Sequence, residues 1–320
     1  MHEKPTITHS SQLIKSVEQY RQKLCSLNGK LGKVLTSGSM ERIDFSKLVD
    51  RFELIIFDAY GVLNRGSAAV PGAVAAVNRC RQKGIDLLIV SNNASEKPEM
   101  VLEKLRRLGF LLDAKEIITS GMAVKPYLKN SPYQDQPYLL IGTPDSASSY
   151  CAEPERLLLN PPGSSMLKAG TPAYILICSN RDYYGREQEQ VVESWLKKGP
   201  LPLLLANPDI VVQDSSGEQV VVAGFTAQEL ADNYFCPIEG IGKPFSSVYE
   251  LALKGFSGVD PKEVLMVGDS LTTDILGGAA MGFTTCLTLS GIHGKEPETI
   301  EAQCMELAIR PDYIVTSIGS

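Results

Sequence analysis

The chain has 320 residues, 43% of them hydrophobic and 21% charged, with a formal net charge of −6. That length and composition suit a globular protein with a sizeable core, and the acidic balance leaves no basic footprint for nucleic acid. No apolar run reaches the ~20 residues needed to span a bilayer, so a membrane is not expected as a partner.

The opening MHEKPTITHSSQ carries no apolar secretory core, so secretion is not expected. The seven cysteines are scattered and form no C-x-x-C pair. Reduced thiols in the cytosol fit that pattern better than a disulfide framework or a zinc site, and a cytoplasmic protein is expected. Only His2, His9 and His293 are present, which leaves little supply for a His-ligated metal or a Ser-His-Asp triad.

In chain order, residues 1–40 read as an extension with a polar helix from Ser11 to Ser26 and a Gly/Ser-rich loop after it. Strand and helix signals alternate from Leu54. A four-residue apolar strand, 54–57, ends in Asp58 and turns at Gly61. Val70-Pro71-Gly72 leads into an Ala/Val-rich helix ending near Gly84, and a second strand, Asp86 to Val90, runs into Ser91-Asn92-Asn93. A helix from Pro98 to about Leu108 stops at Gly109. Ile117 and Ile118 precede a short helix opening at Ser120. Uninterrupted apolar strands suit a parallel sheet covered on both faces, and the alternation predicts a doubly wound α/β fold.

Residues 132–237 are less regular, with strands expected at Tyr138–Ile141, Ala173–Cys178, Leu203–Ala206 and Val220–Val222. Helices are expected at Arg186–Lys197 and Thr226–Tyr234. This segment reads as an inserted α/β domain, a cap, within a core made of 41–131 and 238–320. The first pattern then resumes with helix Phe245–Leu253, strand Val264–Val267, helix Thr272–Met281, strand Thr284–Leu287 and a late strand at Tyr313–Val315.

Four polar points follow these strands or open helices: Asp58, Ser91, Lys243 and the run from Gly268 to Asp274. In open α/β sheets the carboxyl ends of the strands are where ligands bind. A carboxylate there can attack phosphorus, a hydroxyl and an ammonium can hold phosphoryl oxygens, and two or three carboxylates suit Mg²⁺. Ser91 can cap a helix and bind phosphate at once. Asn92 either shapes the turn or touches phosphate. Asp274 is either a ligand support or a dipole-favoured acid in a first helical turn. Asp209 is either a substrate-loop residue or the end of an Asn-Pro-Asp turn.

The four motifs DAYGV at 58–62, Ser91 in VSNNAS, Lys243 in IGKPFSSVYE, and Gly268-Asp269-Ser270 with Asp274 resemble those of the haloacid dehalogenase-like hydrolase superfamily. The resemblance spans about residues 50–316. It implies a Rossmann-like core and a Mg²⁺-dependent phosphatase that passes through an aspartyl-phosphate on Asp58. It also implies that Asp58, Asp269 and the Tyr60 carbonyl hold the metal with support from Asp274, and that Ser91 and Lys243 bind phosphate. Motifs one and two are too close to admit a cap, whereas 91 to 243 leave room for one, as in class IIA of the superfamily. GVLNRGSAAVPGA, ANPD at 206–209 and SGIHGKE at 290–296 look like that class, whose substrates are small phosphorylated metabolites and whose members typically dimerise through the cap.

One position departs. Phosphatases of this superfamily normally carry a catalytic aspartate where Tyr60 stands, and losing a general acid/base typically costs ~10²–10⁴ in rate. A phenol with an ordinary pKa near ~10 is a poor base at neutral pH. Tyr60 therefore predicts slow turnover, with a non-catalytic phospholigand-binding protein as the alternative. FDAYG also resembles the first motif of L-2-haloacid dehalogenases, but those lack the metal site that Asp269 and Asp274 suggest and place the cap elsewhere.

Overall fold

The computed structural model describes residues 38–151, 157–159, 170–180, 186–213, 218–294 and 297–320. The expected helix at Ser11–Ser26 lies outside them. In chain order the strands are β1 (Glu41–Arg42), β2 (Leu54–Phe57), β3 (Asn64–Arg65), β4 (Ala68–Ala69), β5 (Asp86–Ser91) and β6 (Ile117–Thr119). There follow β7 (Tyr138–Ile141), β8 (Leu157–Leu159), β9 (Tyr174–Ile177), β10 (Leu203–Leu205), β11 (Val211–Gln213), β12 (Gln219–Val221) and β13 (Ile238–Gly240). The last three are β14 (Val264–Gly268), β15 (Thr284–Thr288) and β16 (Tyr313–Val315).

Seven of these form one sheet in the order β1-β16-β15-β14-β2-β5-β6, with every pairing parallel. The doubly wound fold expected from the alternation is what forms. Its central strands β2 and β14 are buried end to end, as their continuous apolar sequence requires. Ile55, Phe57, Leu265 and Val267 pack on one face with the helix α1 (Ala73–Gln82) and the helix α2 (Pro98–Arg107). Leu54, Ile56, Val264 and Met266 pack on the other with α3 (Ser120–Lys129). The period-two alternation of side chains divides each four-residue run between two cores.

A second sheet, β13-β10-β9-β7-β8, lies within 138–240. Its strands are parallel too. Helices α4 (Pro144–Ser149), α5 (Arg186–Leu196) and α6 (Ala223–Tyr234) belong to this stretch, and α7 (Ser246–Ala252), α8 (Leu276–Ala280) and α9 (Ile300–Leu307) follow it. The short α4, the hairpin partner β11 and helix α9 were not anticipated, because none shows a long periodic run. The expected helix at 272–281 opens instead as a π-helical turn, Leu271–Ile275, before α8. Position 41 already pairs with Tyr313 in the sheet, and the Met40 amide donates to the Pro311 carbonyl.

Candidate active site

Adjacent parallel strands β2 and β14 end side by side, with Phe57 opposite Val267. The Asp58 amide donates to the Val267 carbonyl at 2.8 Å, which carries the ladder one residue further and sets Asp58 beside the turn that follows Gly268. The sheet itself therefore juxtaposes Asp58 and Asp269. The π-helical turn then brings Asp274 back, where its Oδ2 accepts from the Asp269 and Ser270 amides at 3.1 Å each. A Cβ on Gly268 would come within 2.1 Å of the Asp274 Cβ, so the close return needs glycine there.

Lys243 enters from the second sheet, three residues after β13. It is 1% exposed. Its Nζ donates to Asp58 Oδ1 at 2.6 Å and to Asp274 Oδ1 at 2.7 Å. Asn92, next after β5, fixes the lysine's backbone: its Oδ1 accepts from the Lys243 amide at 2.7 Å, and its Nδ2 donates to the Lys243 carbonyl at 3.1 Å. The same Nδ2 donates to Asp209 Oδ1 at 3.0 Å. The Asp209 amide meanwhile donates to Asn207 Oδ1 at 3.0 Å, so the Asn-Pro-Asp turn and the inward contact coexist.

The carboxylate of Asp269 is gripped by a loop that sequence reasoning did not assign to the site. The Ile292 amide donates to Asp269 Oδ2 at 2.9 Å. A Cβ at Gly61 or at Gly291 would come within 2.1 Å or 1.7 Å of that same oxygen. Gly61 also sits at φ +82°, in the left-handed region that glycine tolerates. Ser290 ties the two glycine segments together, donating from Oγ to the Gly61 carbonyl at 2.6 Å. The SGIHGKE run carries the signal, because its first glycine stands three residues after the largely buried strand β15.

Asp58, Asp269 and Asp274 offer oxygens that all lie within 4.8 Å of one another, and all three residues are buried. Three buried carboxylates against one ammonium leave a charge deficit that burial makes costly. Burial accordingly raises Asp58 to about 7, with Asp274 and Asp209 adding to the rise and Lys243 opposing it. Burial lifts Asp269 well above the ordinary carboxylate range, reinforced by Asp58 and Asp274. Asp209 rises to about 6 through burial, against the pull of Lys243 and the Asn92 hydrogen bond. For Lys243 burial works the other way, and the Asp274 and Asp58 carboxylates outweigh it, holding the ammonium well above its usual value. An all-oxygen donor set short of positive charge fits a hard divalent cation.

The remaining sequence candidates fall on two sides. Tyr60 lines the acidic pocket with Asp58, Asp209, Asp269 and Asp274. Its hydroxyl is turned to the β3–β4 hairpin, where it accepts from the Gly66 amide at 2.9 Å. Ser91 lines a second cavity, which shares only Tyr60 with the acidic pocket. Asn93 shapes the turn, its Oδ1 accepting from the Ser95 and Glu96 amides at 3.1 Å each.

Residues 55–153 match the family described as haloacid dehalogenase-like hydrolase, and 240–320 match a second family of the same hydrolases. Glycerol-3-phosphate phosphatase of Gallus gallus is 31% identical over 285 residues, covering 83% of this chain and 90% of that one. Chronophin of Bos taurus is 28% identical, covering 85% and 93%. A solved structure from Cytophaga hutchinsonii, described as a possible sugar phosphatase of the same superfamily, superposes with a TM-score of 0.75 at 26% identity over 88% of this chain and 99% of that one. The p-nitrophenyl phosphatase from Archaeoglobus fulgidus shares the fold with a TM-score of 0.66 at 22% identity. The paired strand ends, the buried acidic triad and the relatives that span nearly the whole sequence agree: this chain is a hydrolase of the haloacid dehalogenase-like family.

Proposed function

We propose that the protein is a Mg²⁺-dependent phosphatase of a small phosphorylated metabolite, working in a reducing cytoplasm, with Asp58 as the nucleophile and slow turnover set by Tyr60. The observation that carries this reading is the Lys243 ammonium, held between Asp58 at 2.6 Å and Asp274 at 2.7 Å beside a third buried carboxylate. The phosphatase names of relatives at 28–31% identity support it. The described cysteines are buried thiols, in keeping with a reducing compartment. Residues 132–237 act as the cap in this reading, and Asp209 and Asn92 link it to the core where substrate binds.

Asp58, Asp269 and the Tyr60 carbonyl would hold the ion, with Asp274 behind them. A bound Mg²⁺ supplies charge that lets an anionic nucleophile approach an anionic ester. The chain's own part begins with the Asp58 carboxylate, which attacks phosphorus as the ester oxygen leaves. Lys243 stays protonated and neutralises charge on the phosphoryl oxygens, and Asn92 fixes the lysine backbone so that its ammonium need not reorganise. Ser91 donates to a phosphoryl oxygen from the neighbouring strand end. Water then cleaves the aspartyl-phosphate. Tyr60 is a weak substitute for a carboxylic acid, since its hydroxyl turns to the hairpin to accept from the Gly66 amide and a phenol ordinarily titrates near ~10, so esters with good leaving groups, such as acyl or aryl phosphates, are favoured.

Phosphate release from such esters with Mg²⁺ should vanish in Asp58→Asn. Equal activity in that variant would overturn the reading. The engaged Tyr60 hydroxyl also favours a second reading, a phospholigand-binding protein without useful turnover. Thermal stabilisation by phosphometabolites with no phosphate release at any time would select it. Halide release from 2-haloacids without metal, the third chemistry open to FDAYG, is expected to be absent.

A further inference from the structure

The loop that joins β5 to α2 starts at Ser91 and carries Asn92, whose side chain fixes the Lys243 backbone. Residues 92–97 are neither helix nor strand, so no ladder holds them and their backbone polar groups need partners elsewhere. Four successive carbonyls find them outside the loop. The Asn93 carbonyl accepts from the Gly121 amide at 3.3 Å, in the first turn of α3. The next three accept from hydroxyls: Ala94 from Ser146 Oγ at 2.7 Å, Ser95 from Thr143 Oγ1 and Glu96 from the Tyr150 hydroxyl.

All three hydroxyls belong to α4 and its two flanking residues, Thr143 before it and Tyr150 after it. Thr143 and Ser146 cap the helix reciprocally. The Ser146 amide donates to Thr143 Oγ1 at 3.1 Å, and the Thr143 amide donates to Ser146 Oγ at 3.2 Å. Capping uses only the oxygens of these side chains, which leaves each hydroxyl proton available to the loop. Thr119 Oγ1 lies 3.2 Å from the Tyr150 oxygen and supports the phenol from the core side. Thr119, Thr143, Ser146 and Tyr150 are all buried, where a carbonyl stripped of its donor is costly.

Helix α4 follows β7 after only Gly142 and Thr143, so these bonds fasten the loop to the second sheet. Asp209 reaches the same loop from that side, through Asn92 at 3.0 Å. A shift of the second sheet against the first is therefore carried to Ser91 and Asn92 together.

We propose that Thr143, Ser146 and Tyr150 are positioning residues for the reaction: their hydroxyls fix the loop after β5 and so hold Ser91 and Asn92 where phosphoryl binding beside Lys243 requires them. The proposal rests on the phosphatase reading for its phosphoryl site.

The test is calorimetric binding of inorganic phosphate to the full chain with Mg²⁺. Misplacing a binding group by ~1 Å can cost ~10²-fold, so Ser146→Ala and Thr143→Val should each weaken phosphate roughly tenfold, whereas Thr143→Ser keeps the hydroxyl and the wild-type affinity. Tyr150→Phe carries the same expectation and keeps its ring, should the smaller variants fail to fold. Thr285→Val is the comparison. It deletes another buried hydroxyl, one that donates to Asp312 Oδ2 at 2.9 Å, and should lower the melting temperature without changing phosphate affinity. Unchanged affinity in the folded α4 variants, or an equal loss in Thr143→Ser or Thr285→Val, overturns the proposal. Hydrogen exchange reads the loop with no ligand present: it should quicken over residues 91–97 in Ser146→Ala and not in Thr285→Val, and equal protection in the two would also overturn it. A wild-type chain with no phosphate affinity would sink the phosphatase reading and leave hydrogen exchange to decide whether α4 positions the loop.

Discussion

The Tyr60 hydroxyl turns to the hairpin, where it accepts from the Gly66 amide, so the side chain two residues after Asp58, the proposed nucleophile, serves the hairpin. Replacing it by aspartate restores a carboxyl able to exchange protons near neutral pH, and Tyr60→Asp should raise phosphate release by ~10²–10⁴, the usual range for a general acid/base. Steady-state rates on an alkyl phosphate measure this, since a poor leaving group exposes the missing proton most clearly. Lys243 belongs to the same scale. Lys243→Met removes the cation that bridges the buried Asp58 and Asp274, and breaking such a pair typically costs about 3–5 kcal/mol. Urea denaturation at pH 8 should show a loss of that order. A loss below about 1 kcal/mol would mean that the carboxyls are already protonated at that pH.

At the scale of elements, the site depends on how closely two loops approach Asp269. Gly291 permits the loop after β15 to lie against its carboxylate, and a Cβ there would fall 1.7 Å from Oδ2. In Gly291→Ala the loop or the carboxylate must shift, and the Ile292 hydrogen bond at 2.9 Å is lost with it. Apparent Mg²⁺ affinity should fall at least tenfold, the range seen when groups that orient metal ligands are disturbed. Titration of the ion against thermal stability reads this directly. The loop between β10 and β11 makes the corresponding contact from the other sheet, through Asp209 and Asn92. Asp209→Ala removes one of two partners of the Asn92 amide and should weaken substrate binding more than it slows the chemical step, visible as a rise in KM larger than the fall in kcat.

For the whole molecule, the raised carboxyls link stability to pH. Asp58 near 7 and Asp209 near 6 in the folded chain compare with about 3.9 for an unfolded aspartate. Between those values the folded state holds more protons than the unfolded state, so this contribution is full below about pH 4 and is lost as pH rises through 6 and 7. A divalent ion replaces the missing positive charge. The melting temperature of chelator-treated protein should fall between pH 5.5 and 8, and the gain on adding Mg²⁺ should be largest at pH 8. A gain that is flat across this range would count against the acidic triad as the ion's site.

The sequence by itself determined the parallel core, because uninterrupted apolar runs such as Leu54–Phe57 and Val264–Val267 are stable only between two covered faces. It also singled out Asp58, Lys243, Asp269 and Asp274, since each polar residue follows such a run closely or sits in a recognisable motif. Tertiary structure decided how these residues meet. Asp58 stands beside Asp269 because β2 and β14 pair although more than 200 positions separate them, and Lys243 reaches Asp58 and Asp274 from beyond the edge strand of another sheet. Local pattern carries no information about such approaches. They depend on the backbone crowding that Gly61, Gly268 and Gly291 allow, on where the Tyr60 hydroxyl finds its partner, and on which strand ends share an edge.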